Sequence, residues 1–295
     1  MKNQRLINRL YGMILRVMFS GWHRLSVIQR RKRMRIYNSL TPINTNIEVK
    51  ERRDNSVPVV CINLKEQREG VIFYLHGGAY VLGMTNNHIN LCGKLAESMH
   101  AEVIAPKYRL APDHPFPAAL LDVVSVYKKL IAEKDNSLPL YLGGDSAGGG
   151  LALALLQEIR ENGYRMPDKV FLISPWTDLT LTSDSVDQNA HLDPVLSPVG
   201  LKEDAKAYAG DYPLDNPRIS PQFGSALGFP PILIQVGTNE ILLDDARNFA
   251  QNAQSQQVFV KLSEWQGLFH VFQMFPMLPA ADQAIAEINE FLSSD

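Results

Sequence analysis

Short runs of consecutive apolar residues recur along the chain, and between them apolar positions return every three or four residues. A continuous run of about five suits a strand buried on both faces, whereas the wider spacing suits a helix with one buried face. Residues 71–75, 103–106, 138–142, 170–173, 232–236 and 258–262 read as strands on this basis. Residues 57–62 read as an edge strand, because Pro58 has no N–H to give to a ladder. Helical spacing fills the gaps: 87–100, 117 to about 132, a segment beginning near Leu151 and stopping at Asn162-Gly163, 244–255, and 279–291. Strands alternating with helices predict an α/β fold, with a mostly parallel central sheet and helices on both faces. The rhythm fails over about 178–228, where Pro, Gly and Asp are frequent and one helix, 198–209, is plausible. That stretch reads as an insertion between two core strands, suited to a cap.

Composition narrows the picture modestly. The chain has 295 residues, 45% hydrophobic and 20% charged, with a formal net charge of −2, so the total charge implies no nucleic-acid partner. Two cysteines, Cys61 and Cys92, stand far apart, which argues against a disulfide framework or a zinc site and fits a reducing, cytoplasmic setting. No apolar run reaches the length of a membrane span. The charge is unevenly distributed: ten Lys and Arg residues precede the first acid, Glu48. Among them Ile7, Leu10, Tyr11, Ile14, Leu15 and Met18 recur at helical spacing. Two roles suit such a basic amphipathic helix: a cap over a site, the favoured reading, or contact with a membrane surface. The expected organisation is an N-terminal cap segment, 1–50, and a catalytic unit, 51–295, carrying the cap insertion at about 178–228.

The candidate chemistry begins at Gly144-Asp145-Ser146-Ala147-Gly148, a G-x-S-x-G sequence between a predicted strand and a predicted helix. In that setting the serine sits on a strained turn that lifts its hydroxyl out of the sheet. A serine nucleophile needs a histidine base, and the histidine needs an acid to fix its tautomer. His270 follows the last predicted strand and respects the chain order serine, acid, histidine. His191 lies inside the insertion, and His23, His88, His100 and His114 fit surface or packing roles better. Two acids compete in the loop after strand 232–236. Glu240 has no evident local task, whereas Asp244 and Asp245 stand where carboxylates cap a helix N-terminus. Glu240 is therefore the favoured acid and Asp244 the alternative. The N–H groups of Gly77 and Gly78, after strand 71–75, and of Ala147 are the expected oxyanion donors.

Three segments together carry a family resemblance: His76-Gly77-Gly78-Ala79-Tyr80, then Tyr108-Arg109-Leu110-Ala111-Pro112, then Gly144-Asp145-Ser146-Ala147-Gly148-Gly149. In this order they resemble the bacterial hormone-sensitive-lipase family of α/β-hydrolase esterases. The resemblance implies an α/β-hydrolase core with a helical cap built from the N-terminus and the insertion. It also implies carboxylesterase activity on short- to medium-chain acyl esters, with no metal or organic cofactor. Ala79 stands where the family usually has a third glycine, and Glu240 where it usually has an aspartate. Alternative activities on the same residues are lactone or amide hydrolysis, or ligand binding without catalysis. The expected partner is a small-molecule ester. A homodimer across the edge strand 258–262 is a further expectation.

Overall fold

The computed structural model describes residues 2–44, 47–63, 69–133, 137–275 and 277–294. Its strands are β1 (Glu48–Asp54), β2 (Val57–Asn63), β3 (Gly70–Leu75), β4 (Ala101–Pro106), β5 (Leu140–Asp145), β6 (Lys169–Ile173), β7 (Ile232–Gly237) and β8 (Val260–Trp265). Its helices are α1 (Lys2–Phe19), α2 (Val27–Leu40), α3 (Asn86–Met99), α4 (Ala118–Glu133), α5 (Ala147–Glu161), α6 (Ser185–Gln188), α7 (Pro198–Ala209), α8 (Leu243–Ser255) and α9 (Pro279–Ser293). One sheet takes the order β1-β2-β4-β3-β5-β6-β7-β8, antiparallel at β1-β2-β4 and parallel from there on. Alternate residues of β3 feed opposite cores. Phe73 belongs to a core that includes residues of α4, α5 and α8, whereas Ile72 and Tyr74 belong to one that includes residues of α3 and α9. All six residues of β3, β5 and β7 are buried, which explains why these strands are mostly apolar.

Several elements depart from the sequence reading. The strand containing Pro58 is not an edge: β1 covers its outer side, and Pro58 pairs with Arg53 where β4 has not yet joined. β1 reads Glu-Val-Lys-Glu-Arg-Arg-Asp, with one apolar residue, so no periodicity announces it; backbone pairing on an exposed edge holds it. Because β1 belongs to the sheet, a boundary at residue 50 cuts a strand, and the N-terminal segment ends before Glu48. The last strand lies slightly later than 258–262 and is the opposite edge of the sheet.

The cap has two pieces far apart in sequence. α1 and α2 form the first; the segment between β6 and β7, with α6 and α7, forms the second. A buried, two-pronged ion pair joins them: the Arg30 guanidinium of α2 donates to both oxygens of Asp204 on α7, at 2.7 and 2.6 Å. Arg31 ties α2 to the core loops through the carbonyls of Val81 and Ala111 and the carboxylate of Asp113. Tyr80, just after the buried end of β3, stacks on Tyr208 of α7 at 3.6 Å between ring centres. α1 buries Leu15 against a cluster including Leu268, Phe269 and Phe272.

Candidate active site

Ser146 stands at the junction of β5 and α5 with φ 53° and ψ −124°, a strained conformation outside both strand and helix. The turn is tight enough to exclude side chains on either side of it. A Cβ at Gly148 would sit 2.1 Å from the carbonyl oxygen of Leu75 at the end of β3. The Ser146 N–H donates to Ile173 of β6, and its carbonyl accepts from Trp176, so neighbouring strand ends clamp the strained residue.

His270 comes from the loop after β8. Its Nε2 lies 2.9 Å from Ser146 Oγ, and its Nδ1 lies 2.8 Å from Glu240 Oε2. Glu240 is fully buried in the loop after β7. Its other oxygen, Oε1, accepts from the Ser174 hydroxyl at 2.7 Å and from the Gly237 N–H. Ser174 Oγ in turn accepts from the N–H of Val271, beside the histidine. Burial disfavours a charged imidazole, but the hydrogen bond and charge of Glu240 outweigh it and hold His270 above its ordinary pKa. Asp244 and Asp245 do not reach His270. Nor do they cap their own helix, as the sequence suggested. Asp244 accepts from the Ser185 N–H, and Asp245 from the N–H groups of Thr177 and Asp178 and the Ser183 hydroxyl. Both carboxylates hold the start of the insertion against the core.

The oxyanion donors need a correction. The Gly77 N–H is already committed: it donates to Asp145 Oδ1 at 3.0 Å, and the same oxygen accepts from the Tyr74 hydroxyl at 2.8 Å. His88 faces the other Asp145 oxygen at 3.5 Å. Gly77 is thus an anchor for the loop, and the backbone that lines the cavity beside Ser146 belongs to Gly78 and Ala79. Gly78 takes φ 118°, a conformation that favours glycine. The N–H of Ala147, first residue of α5, has no partner within its helix. His76 stacks on Tyr108 with ring centres 4.3 Å apart and bonds through Nδ1 to the Gly77 carbonyl. Burial, aided by His88, pushes its pKa down to about 4, so it is a neutral brace. The Tyr108 hydroxyl donates to the His76 carbonyl, while Asp122 of α4 holds Arg109 by backbone and side chain.

Ser146 and His270 sit on the wall of a cavity of about 540 Å³. Phe19 and Trp22 from the N-terminal segment, Leu82, Val195, Leu201 and Phe275 supply much of its apolar lining. That volume and lining suit a small organic molecule. Asp193 also faces this cavity. Its carboxylate accepts from the N–H groups of Val195, Leu196 and Ile241, and burial pushes its pKa up to about 6. It joins the cap insertion to the loop carrying Glu240. Asp193 before Pro194 signals a turn in the sequence, but no spacing links it to a loop 48 positions later. Ser174 was equally hidden, appearing only as the polar residue that closes a strand.

Residues 72–274 match the α/β-hydrolase fold family. An esterase of Acinetobacter venetianus is 38% identical over 257 residues, covering 86% of this chain and 85% of that one. An acetyl-hydrolase of Streptomyces hygroscopicus is 38% identical over 222 residues, 75% of this chain and 74% of its own. Among solved structures, an esterase of the bacterial hormone-sensitive-lipase family superposes with a TM-score of 0.91 at 35% identity, covering 97% and 96% of the two chains. A hormone-sensitive lipase from a metagenome library gives 0.92 at 33% identity over 97% of each. With the motifs and the sheet order these place the chain plainly: it belongs to the α/β-hydrolase fold family, in its bacterial hormone-sensitive-lipase branch.

Proposed function

We propose that this chain is a serine carboxylesterase that cleaves short- to medium-chain acyl esters. The observation that carries the reading is the unbroken hydrogen-bonded line from Glu240 through His270 to Ser146, ending at the wall of an apolar cavity. Ser146 Oγ attacks the ester carbonyl carbon as His270 Nε2 takes its proton. The carbonyl oxygen gains the negative charge, and the N–H groups of Gly78, Ala79 and Ala147 receive it. Collapse breaks the bond to the alkoxy oxygen, and His270 returns the proton to the departing alcohol. Water then attacks the acyl-serine by the same route and releases the acid. Glu240 keeps the proton on His270 Nδ1 and balances the imidazolium. No step calls for a metal or an organic cofactor. The acetyl-hydrolase among the relatives supports small acyl groups, and a cavity of about 540 Å³ is compatible with them.

The buried thiols Cys61 and Cys92, which form no disulfide, fit a cytoplasmic setting. The deciding experiment is hydrolysis of p-nitrophenyl esters of graded chain length, with a lactone and an anilide alongside. Ser146→Ala should lower kcat by up to about 10⁶ while the melting temperature is kept. Activity within tenfold of the parent would overturn the reading, and preference for the lactone or anilide would redirect it.

A further inference from the structure

α1 has two apolar faces, and the cap uses only one of them. Leu15 is buried, with Tyr11 and Met18 half-buried beside it. Leu10, Met13, Ile14 and Val17 are 53%, 61%, 49% and 75% exposed. Their spacing of three, four and seven places them in one stripe along the helix. Four large apolar side chains in a continuous exposed row need an explanation that a lone surface leucine would not.

The surrounding charge says what covers them. Of 29 Lys and Arg and 31 Asp and Glu, ten cations and no acid precede Glu48. The rest of the chain holds 19 cations against 31 acids, a net of −12, so a nearly neutral chain carries a strongly basic N-terminal segment. Among the described residues, Arg30 and Arg31 form ion pairs, and Arg16 and Arg33 bond to backbone carbonyls. Arg24, Lys32 and Arg35 are exposed and have no ion pair among the described residues. A second copy of this chain would suit the stripe poorly: in a two-fold contact the same surface meets itself, and cation would face cation. An anionic bilayer suits it, because it offers acyl chains to the stripe and negative headgroups to the arginines. No helix among the described residues is long and apolar enough to cross a membrane, which leaves α1 lying in the surface.

We propose that α1 docks the protein onto anionic lipid bilayers through Leu10, Met13, Ile14 and Val17, flanked by the basic N-terminal segment. The consequence for the site is direct. Arg16 and Phe19 at the end of α1, with Ser20, Gly21 and Trp22 after it, line the cavity holding Ser146. Docking sets the cavity beside the headgroup layer, where esters with acyl tails collect. The proposal concerns binding and stands or falls separately from the esterase reading.

Vesicle co-sedimentation tests it on the full chain. Phosphatidylcholine vesicles containing about 30% phosphatidylglycerol are compared with pure phosphatidylcholine, since each cation near such a surface is worth about fivefold in affinity. Binding should be at least tenfold tighter to the anionic vesicles at low salt, roughly in line with two such cations, and should weaken at higher salt. Replacing Leu10, Ile14 and Val17 together by Gln, a good helix former, should lower that binding by about a hundredfold. Melting temperature and kcat/KM on a soluble ester should stay at the parent's values. Should the triple variant fold poorly, Arg24→Gln with Lys32→Gln and Arg35→Gln gives the second arm, with an expected loss of about tenfold or more. No preference for anionic vesicles overturns the proposal. So does full binding by a folded triple variant, and so does a change in oligomeric mass with vesicle binding unaltered, which would assign the stripe to a second copy.

Discussion

Replacing Glu240 by glutamine isolates what the acid does for the histidine. The two shapes are nearly the same, so the outcome turns on protons. Oε1 of Glu240 accepts from two fixed donors, the Ser174 hydroxyl and the Gly237 N–H. A glutamine must put its carbonyl oxygen there, because its NH₂ would face two donors. The NH₂ then takes the place of Oε2, 2.8 Å from His270 Nδ1, and donates to it. His270 must carry its proton on Nε2, the nitrogen 2.9 Å from Ser146, and can no longer accept the serine proton. The wrong tautomer is thus imposed by groups outside the catalytic line. A comparable acid-to-amide change elsewhere costs about 10⁴ in kcat, near 5.5 kcal/mol of barrier. Stability should change little, about 1 kcal/mol or roughly 2–4 °C in melting temperature, because the Oε1 bonds survive. Glu240→Asp keeps the charge and the tautomer but shortens the reach, for a loss of about 10². Initial rates on p-nitrophenyl butyrate, with thermal melts on the same samples, give the answer. A folded Glu240→Gln enzyme within tenfold of the parent would refute the reasoning, and a large loss in a folded Asp244→Asn variant would move the role to Asp244.

Three further outcomes follow from the same structure. The parent rate should rise with pH as His270 loses its proton, along a limb above the ordinary imidazole pKa, because Glu240 outweighs burial. In Glu240→Gln, whatever activity remains should show that limb at lower pH, and a limb that stays in place would show that the carboxylate does not set it. Asp204→Ala leaves the Arg30 charge buried without its partner and should cost about 3–5 kcal/mol, whereas Arg30→Met with Asp204→Leu should recover most of that, read by denaturant melts. A homodimer through the outer edge of β8 should appear by light scattering at micromolar concentration, and a monomeric mass there removes it.

The sequence made some of this legible and concealed the rest for physical reasons. Ser146, Glu240 and His270 could be named because each lies past the carboxyl end of a strand that the sequence predicts, and chain order limited the choice. The oxyanion loop misled for the opposite reason. His76-Gly77-Gly78-Ala79 shows which backbone is bare, but not that Asp145, 68 positions later, already occupies the Gly77 N–H. β1 escaped notice because an edge strand needs a backbone partner more than an apolar pattern. The roles of Asp244 and Asp245 were misread because a carboxylate in the first turn of a helix has a ready local explanation. Here the insertion offers better donors from across the fold.

The ion pair that joins the cap links residues 174 positions apart, and that distance has a meaning in time. A ribosome adding about 5–20 residues per second brings Asp204 out roughly 10–35 s after Arg30. Through that interval Arg30 lacks its partner Asp204, and α1 lacks the apolar surface after β8 on which Leu15 comes to rest. The basic, apolar-striped part of the chain thus emerges well before the surfaces that cover it. Until then its apolar stripe and its arginines stay open to other partners.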